Sequence, residues 1–215
     1  MSRSRVVVAW ARGSARPLAL HLIVQQARRS FGVDDADLDL VRRCRSCGSS
    51  RHGRPVLVQR GRSTPETAGL PHVSLSRSAD LTVVALTDAG PVGVDVERSD
   101  AASFPGFDLV CLHPEERPGD VRERTTTWVR KEALLKAVGR GLVVEPSTVR
   151  LTEATQAPAL LAWTAPGPPD TQVWLEDLVL PDDHVGAVAV LAERRPELVL
   201  TPAAEAGAPP GTASW

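Results

Sequence analysis

The sequence predicts an α+β fold made of two similar halves. Near the start a helix-periodic stretch precedes a group of β-prone runs, and the same order returns after residue 91. The 215 residues, 42% hydrophobic and 24% charged, suffice for a sizeable core in one domain or two small ones. No clear repeat of residues accompanies the repeated order of elements, so the duplication is read from pattern alone. The expected division is an N-terminal half over 1–90, a C-terminal half over 91–200 and a tail over 201–215.

The first helix is predicted from about Pro17 to Phe31, because Leu18, Leu22, Ile23 and Ala27 recur at helical spacing and Gly32 supplies a stop. Asp34 to Leu40 leads into a cysteine- and arginine-rich loop, Arg42 to Pro55, and a short apolar strand at Val56 to Val58 follows. From Val73 the pattern turns strand-like. Leu81 to Leu86 and Pro91 to Glu97, joined by Thr87-Asp-Ala-Gly90, read as a β-hairpin of two β-prone runs around turn residues. A loop carries Phe104 to Gly119, and a second helix runs from roughly Val121 to Val138, ended by Gly139 and Gly141. Strands are predicted near Val149 to Thr152, Gln172 to Leu180 and Val185 to Ala192. The Ala-, Pro- and Gly-rich tail from Thr201 to Trp215 is expected to be disordered.

A formal net charge of −1 excludes a generic nucleic-acid binder but leaves room for a local basic groove. The longest apolar runs, such as Val6 to Trp10 and Gly186 to Ala192, are far too short to span a bilayer. No signal-peptide core follows Met1 to Arg5, so a cytoplasmic location is expected; the protein is read as a monomer. Three cysteines argue against a disulfide framework. Cys44-x-x-Cys47 with His52 invites a zinc reading, but a closed structural site needs four ligands and only the distant His72, Cys111 and His113 remain, so the pair is read as reduced thiols in a loop.

The first chemical constellation is Gly93-Val-Asp-Val-Glu97. On a strand Asp95 and Glu97 share one face with Gly93, while Val92, Val94 and Val96 take the other. Two adjacent carboxylates are costly to hold ionised, and a hard divalent cation such as Mg²⁺ is the usual remedy; the alternative is two solvated acids on an exposed face. The second constellation is Trp128-Val-Arg-Lys-Glu-Ala-Leu-Leu-Lys136, which holds both lysines of the chain, Lys131 and Lys136. Trp128, Glu132 and Lys136 fall at i, i+4 and i+8 of a helix, putting a carboxylate and an ammonium on one stripe. Taken alone this could be a surface ion pair worth about 0.3–0.5 kcal/mol.

The two segments together, with His52-Gly-Arg-Pro55, Val73-Ser-Leu-Ser-Arg-Ser78 and Pro114-Glu-Glu-Arg117, closely resemble the 4′-phosphopantetheinyl transferase superfamily, in its larger pseudo-dimeric type that activates polyketide and nonribosomal peptide synthetases. The resemblance covers about Arg51 to Ala192; the first fifty residues match only loosely. It implies two α+β halves related by a pseudo-twofold, with coenzyme A and Mg²⁺ in the cleft between them. It further implies that Asp95, Glu97 and Glu132 hold Mg²⁺, and that Arg16, Arg51, Gly53, Arg54, Ser76, Arg77, Asp95 and Lys136 contact coenzyme A. A carrier-protein serine would attack the β-phosphate, giving a holo-carrier protein and 3′,5′-ADP. Glu132, or a metal-bound water near it, would be the base, with Lys136 and Lys131 stabilising phosphate charge.

Two departures stand out: Arg77 replaces the family histidine, and Arg54 the family lysine. Both exchanges keep a cation, and arginine can bind phosphate bidentately. The partner implied is an acidic helical acyl or peptidyl carrier protein, and Arg117, Arg122, Arg124, Arg130 and Arg140 are candidates for a basic rim, unless Glu115, Glu116 and Glu123 pair with them. With no tyrosine and few aromatics, the adenine is expected against aliphatic walls and backbone. The alternatives to a transferase are a catalytically silent relative that binds coenzyme A or a carrier protein, and a zinc module.

Overall fold

The computed structural model describes residues 3–33, 38–44, 47–51, 53–59, 69–140 and 143–202. His52, Gly141, the stretch after Gly32 that begins at Asp34, and the tail from residue 203 fall outside these, so the readings placed there are untouched. The chain is a mixed α and β protein, as its sequence predicts.

The first half runs β1 (Arg5–Arg12), α1 (Arg16–Phe31), β2 (Leu38–Arg43), β3 (Arg54–Gln59), β4 (His72–Ser78) and β5 (Leu81–Thr87). The second runs β6 (Val92–Arg98), α2 (Phe107–Cys111), α3 (Val121–Val138), β7 (Val149–Leu151), β8 (Leu160–Trp163), β9 (Val173–Leu178), β10 (His184–Leu191) and β11 (Glu197–Pro202). A four-stranded sheet has the order β11-β1-β5-β4, and a three-stranded sheet has the order β6-β10-β9; β2-β3 and β7-β8 form separate ribbons. The order β1, helix, ribbon, β4, β5 thus returns as β6, helix, ribbon, β9, β10, and each sheet places its last strand in the middle of the repeated trio. β11 leaves the second half and lies parallel to β1, so the expected boundary at residue 91 is crossed by the end of the chain. Thr201 and Pro202, expected in the tail, close this strand.

The expected hairpin between Leu81–Leu86 and Pro91–Glu97 is corrected. β5 pairs with β4 and β1, whereas β6 pairs with β10 in the other sheet. Asp88-Ala-Gly90 makes the turn, but every residue of β5 is buried and both its edges are already taken, so β6 must leave for a second sheet. The real hairpin, β4–β5, turns through Ala79 and Asp80, with Ala79 at φ 50°. That pair carries none of the glycine or asparagine signals of a tight turn.

Four layers result. α1 packs Leu22, Ile23 and Ala27 on one face of the first sheet with Val84 and Leu86. The other face, through Val6, Val8, Leu81 and Val83, meets Val92, Val94, Val96, Val188 and Val190 of the second sheet. α3 covers the far side of that sheet, burying Val129, Ala133, Leu134 and Ala137 against Ala187, Ala189 and Leu191. Its start is set by Asp120, whose side chain accepts the Glu123 N–H, and its end by Gly139 in the left-handed conformation at φ 76°. Among the described residues no helix is long and apolar enough to cross a membrane.

Candidate functional site

β6 and α3 build the site between them. Alternation on β6 turns Val94 and Val96 into the inter-sheet core and leaves Gly93, Asp95 and Glu97 facing α3. At Gly93 the helix comes so close that an added Cβ would lie 1.9 Å from the Ala133 carbonyl oxygen and 2.5 Å from the Ala137 nitrogen. Only glycine permits that approach, which brings Glu132 and Lys136 down onto the strand.

Asp95 is 4% exposed. Its Oδ1 accepts from Lys136 Nζ at 2.6 Å and from Ser76 Oγ at 2.7 Å, while its Oδ2 is buried with no hydrogen-bond partner. Lys136 Nζ also donates to the Val94 carbonyl at 3.1 Å and lies 3.2 Å from Ser76 Oγ. Glu97 accepts a 2.7 Å bond from Ser78 Oγ. Burial pushes the Glu97 carboxyl above the usual range, with Asp95 adding to the push while Ser78 and Lys136 oppose it. Glu132 is raised likewise, first by burial, then by Asp95 and Glu97, with Lys136 opposing. The structure therefore brings together Ser76, Asp95, Glu97, Glu132 and Lys136: three carboxylates answered by one ammonium, a region short of positive charge. Among the described residues no three His, Cys, Asp or Glu side chains form a group that could hold a metal ion as they stand. The donor chemistry suits a hard divalent cation nonetheless, since the oxygens are carboxylates, Asp95 Oδ2 lacks a partner, and the mutual repulsion would be relieved.

Arg16, Arg51 and Arg77 line one cavity of about 820 Å³ between the start of α1, the β2–β3 ribbon and β4. Arg42 lines it as well, a residue that sequence reasoning left in a loop. Four guanidinium groups with Asp39 as the acidic lining residue make this a natural seat for a multiply charged anion. Gly53 is demanded by its backbone at φ 101°, where a Cβ would come within 2.4 Å of the Arg43 carbonyl, and its own carbonyl accepts from Arg42 at 3.1 Å.

Arg54 is not in that group. Its Nε donates to the Lys136 carbonyl at 3.2 Å and its guanidinium lies against Gly139, so it caps the C-terminal end of α3 and lines a separate cavity of about 730 Å³ with Arg140. The reading of Lys131 as a phosphate-stabilising group is also corrected. Five residues from Lys136 is about 140° around a helix. Lys131 is 0% exposed, and its ammonium bonds Glu116 Oε2 at 2.6 Å, the Cys111 carbonyl at 2.8 Å and the Pro146 carbonyl at 3.0 Å, which uses all three donors. Glu116 in turn accepts from the His113 and Leu151 N–H groups. The pair fastens α3 to the α2 loop and β7. Burial here also pushes the Cys111 thiol up to about 11.

The expected basic rim loses Arg130, which is 0% exposed and grips Asp177 through two bonds, at 2.8 and 2.6 Å. Arg122 and Arg124 pair with Asp183 and Asp108, not with the glutamates nearest in sequence, and Arg117 donates to backbone carbonyls. Three serines of β4 that touch β6 were visible as alternating Ser74, Ser76 and Ser78, yet only Ser76 was singled out. Period-two polarity beside the carboxylate strand was the signal available.

Residues 91–189 match the 4′-phosphopantetheinyl transferase superfamily, a span that begins beside β6 and takes in α3 and most of β10. The match supports a transferase of that kind. No curated protein matches the chain.

Proposed function

We propose that this protein transfers the 4′-phosphopantetheine group of coenzyme A to a serine of an acyl or peptidyl carrier protein, as a member of the larger, pseudo-dimeric type. The observation that carries the reading is the meeting of Asp95, Glu97, Glu132 and Lys136 where α3 is pressed onto β6, inside the matched span. Support for the two-halved type comes from the repeated sheet order and from the arginine cavity, which lies in the first half, outside that span.

Coenzyme A is the substrate. Arg16, Arg51 and Arg77, joined by Arg42, hold its terminal phosphate, and Lys136, held beside Asp95, meets the pyrophosphate. A divalent cation, Mg²⁺ in the cell, held by Asp95, Glu97 and Glu132 would supply charge neutralisation on the phosphates. The serine oxygen bonds to the β-phosphorus as the bond from that phosphorus to the bridging oxygen of 3′,5′-ADP breaks. The hydroxyl proton passes to Glu132, which acts as general base. Most of the remaining catalysis is positioning and electrostatics.

The test is product analysis. Incubated with coenzyme A, Mg²⁺ and an apo carrier protein, the protein should release 3′,5′-ADP only when the carrier serine is present. Coenzyme A binding without release, on several unrelated carriers, would leave the silent relative.

A further inference from the structure

β4 is the outer strand of the first sheet and β6 the outer strand of the second. Such edges present unpaired backbone groups that must be answered in some way. Here hydroxyl groups answer them. Ser74, Ser76 and Ser78 stand opposite Ala85, Val83 and Leu81 of β5, on the face turned toward the second sheet. Ser74 Oγ accepts the Val94 N–H at 3.1 Å, and Ser78 Oγ accepts the Arg98 N–H at 3.2 Å. The same Ser78 hydroxyl donates to Glu97 Oε2 at 2.7 Å, as Ser76 donates to Asp95 Oδ1. Leu75 and Arg77, on the other face of β4, line the arginine cavity. One strand therefore carries an anion-binding arginine on one side and the hydrogen-bond donors of both β6 carboxylates on the other.

The geometry points to Ser78 as a positioning residue for the transfer reaction: its hydroxyl, held by the Arg98 N–H, sets the orientation of Glu97 as Ser76 sets that of Asp95, an inference that rests on the function proposed above. Glu97 is the more exposed of the two and has one more rotatable bond, so it loses more order when its donor is removed. Ser74 makes the same kind of backbone bond but touches neither carboxylate. It separates the carboxylate contact from simple stitching of the seam.

The experiment uses the full chain with Ser78→Ala, Ser78→Thr and Ser74→Ala. Mn²⁺ binding in the presence of coenzyme A is followed by electron paramagnetic resonance of the free ion, beside thermal unfolding and transfer to a carrier protein. Ser78→Ala should weaken Mn²⁺ binding about 10-fold, the lower end of what loss of a ligand's hydrogen-bond partner costs. Ser78→Thr, which keeps the hydroxyl, should restore it. Ser74→Ala should lower the unfolding midpoint and leave Mn²⁺ binding unchanged. Equal binding by the wild type and Ser78→Ala overturns the inference, as does an equal loss in Ser74→Ala. Should Ser78→Ala fail to fold, Ser78→Thr against its isostere Ser78→Val makes the same comparison. A wild type that neither binds Mn²⁺ with coenzyme A nor transfers anything refutes the functional reading itself, an outcome distinct from a Ser78 variant that matches an active wild type.

Discussion

Gly93→Ala is the sharpest single perturbation available. The added Cβ would sit 1.9 Å from the Ala133 carbonyl oxygen, 2.5 Å from the Ala137 nitrogen and 2.8 Å from Lys136 Cβ, where ordinary contact begins at 3.4 Å. The first two are backbone atoms and cannot rotate aside, so α3 and β6 must separate by about 1.5 Å. α3 is poorly free to recoil. Val129, Ala133, Leu134 and Ala137 are all 0% exposed, and Arg130 and Lys131 tie the helix to Asp177 and Glu116. The cost should reach the upper end of the overpacking range, about 3 kcal/mol. At about 2–4 °C per kcal/mol for a chain of this size, the thermal midpoint falls by about 6–12 °C. The 2.6 Å contact between Lys136 and Asp95 opens as well, and a misplacement of about 1 Å can cost some 100-fold in rate. Circular dichroism melting and the transfer assay read the two effects. A midpoint within about 2 °C of wild type, with the rate retained, would refute the packing argument, because Gly93 has no special backbone angle behind which a steric effect could hide.

Lys131→Met leaves Glu116 buried and uncompensated and should cost about 3–5 kcal/mol in urea unfolding, with Glu116→Gln in the same chain restoring part of it; a cost under about 1 kcal/mol would show that the pair is not the clamp described. Glu132 carries a raised pKa in the fold, so its charge destabilises the metal-free protein as pH rises above the ordinary carboxylate range and costs nothing below it. Glu132→Gln should therefore raise the thermal midpoint of metal-free protein at neutral pH, with the gain vanishing near about pH 4, while transfer is lost; a gain that grew toward acid pH would reverse the sign of the argument. Arg77→Ala should weaken coenzyme A binding by at least about 10-fold in calorimetry and leave dephospho-coenzyme A nearly unaffected; an equal loss for both would remove the terminal-phosphate contact from Arg77.

Long, strongly patterned elements were legible in the sequence. α3 matches its expected bounds, because Gly139 stops it as a glycine should. Pairing was less legible. Asp88-Ala-Gly90 looks like a hairpin turn, but whether the next strand folds back or joins another sheet depends on which edges are already filled. β1 was visible only as an apolar run and β11 not at all, since a parallel partner almost 200 residues away leaves no local signal. Within the site, Asp95, Glu97, Glu132 and Lys136 were readable because strand and helix periodicities each place them on one face. Lys131 misled because charge was counted before helical phase was applied: one lysine of the motif reaches the carboxylates, and the other lies on the buried side with Glu116. Arg130 misled in the same way. Arg42 and Ser78 depend on how the ribbon and β4 meet the rest of the fold, which no sequence window contains.

The central claim is metal-dependent group transfer, and the intact mass of an apo carrier protein tests it most directly. After incubation with this protein, coenzyme A and Mg²⁺, the account predicts a gain of one phosphopantetheine group, abolished by EDTA and by Asp95→Ala. An unchanged mass across several carriers that bind the protein, or a gain indifferent to EDTA and to Asp95→Ala, would contradict it.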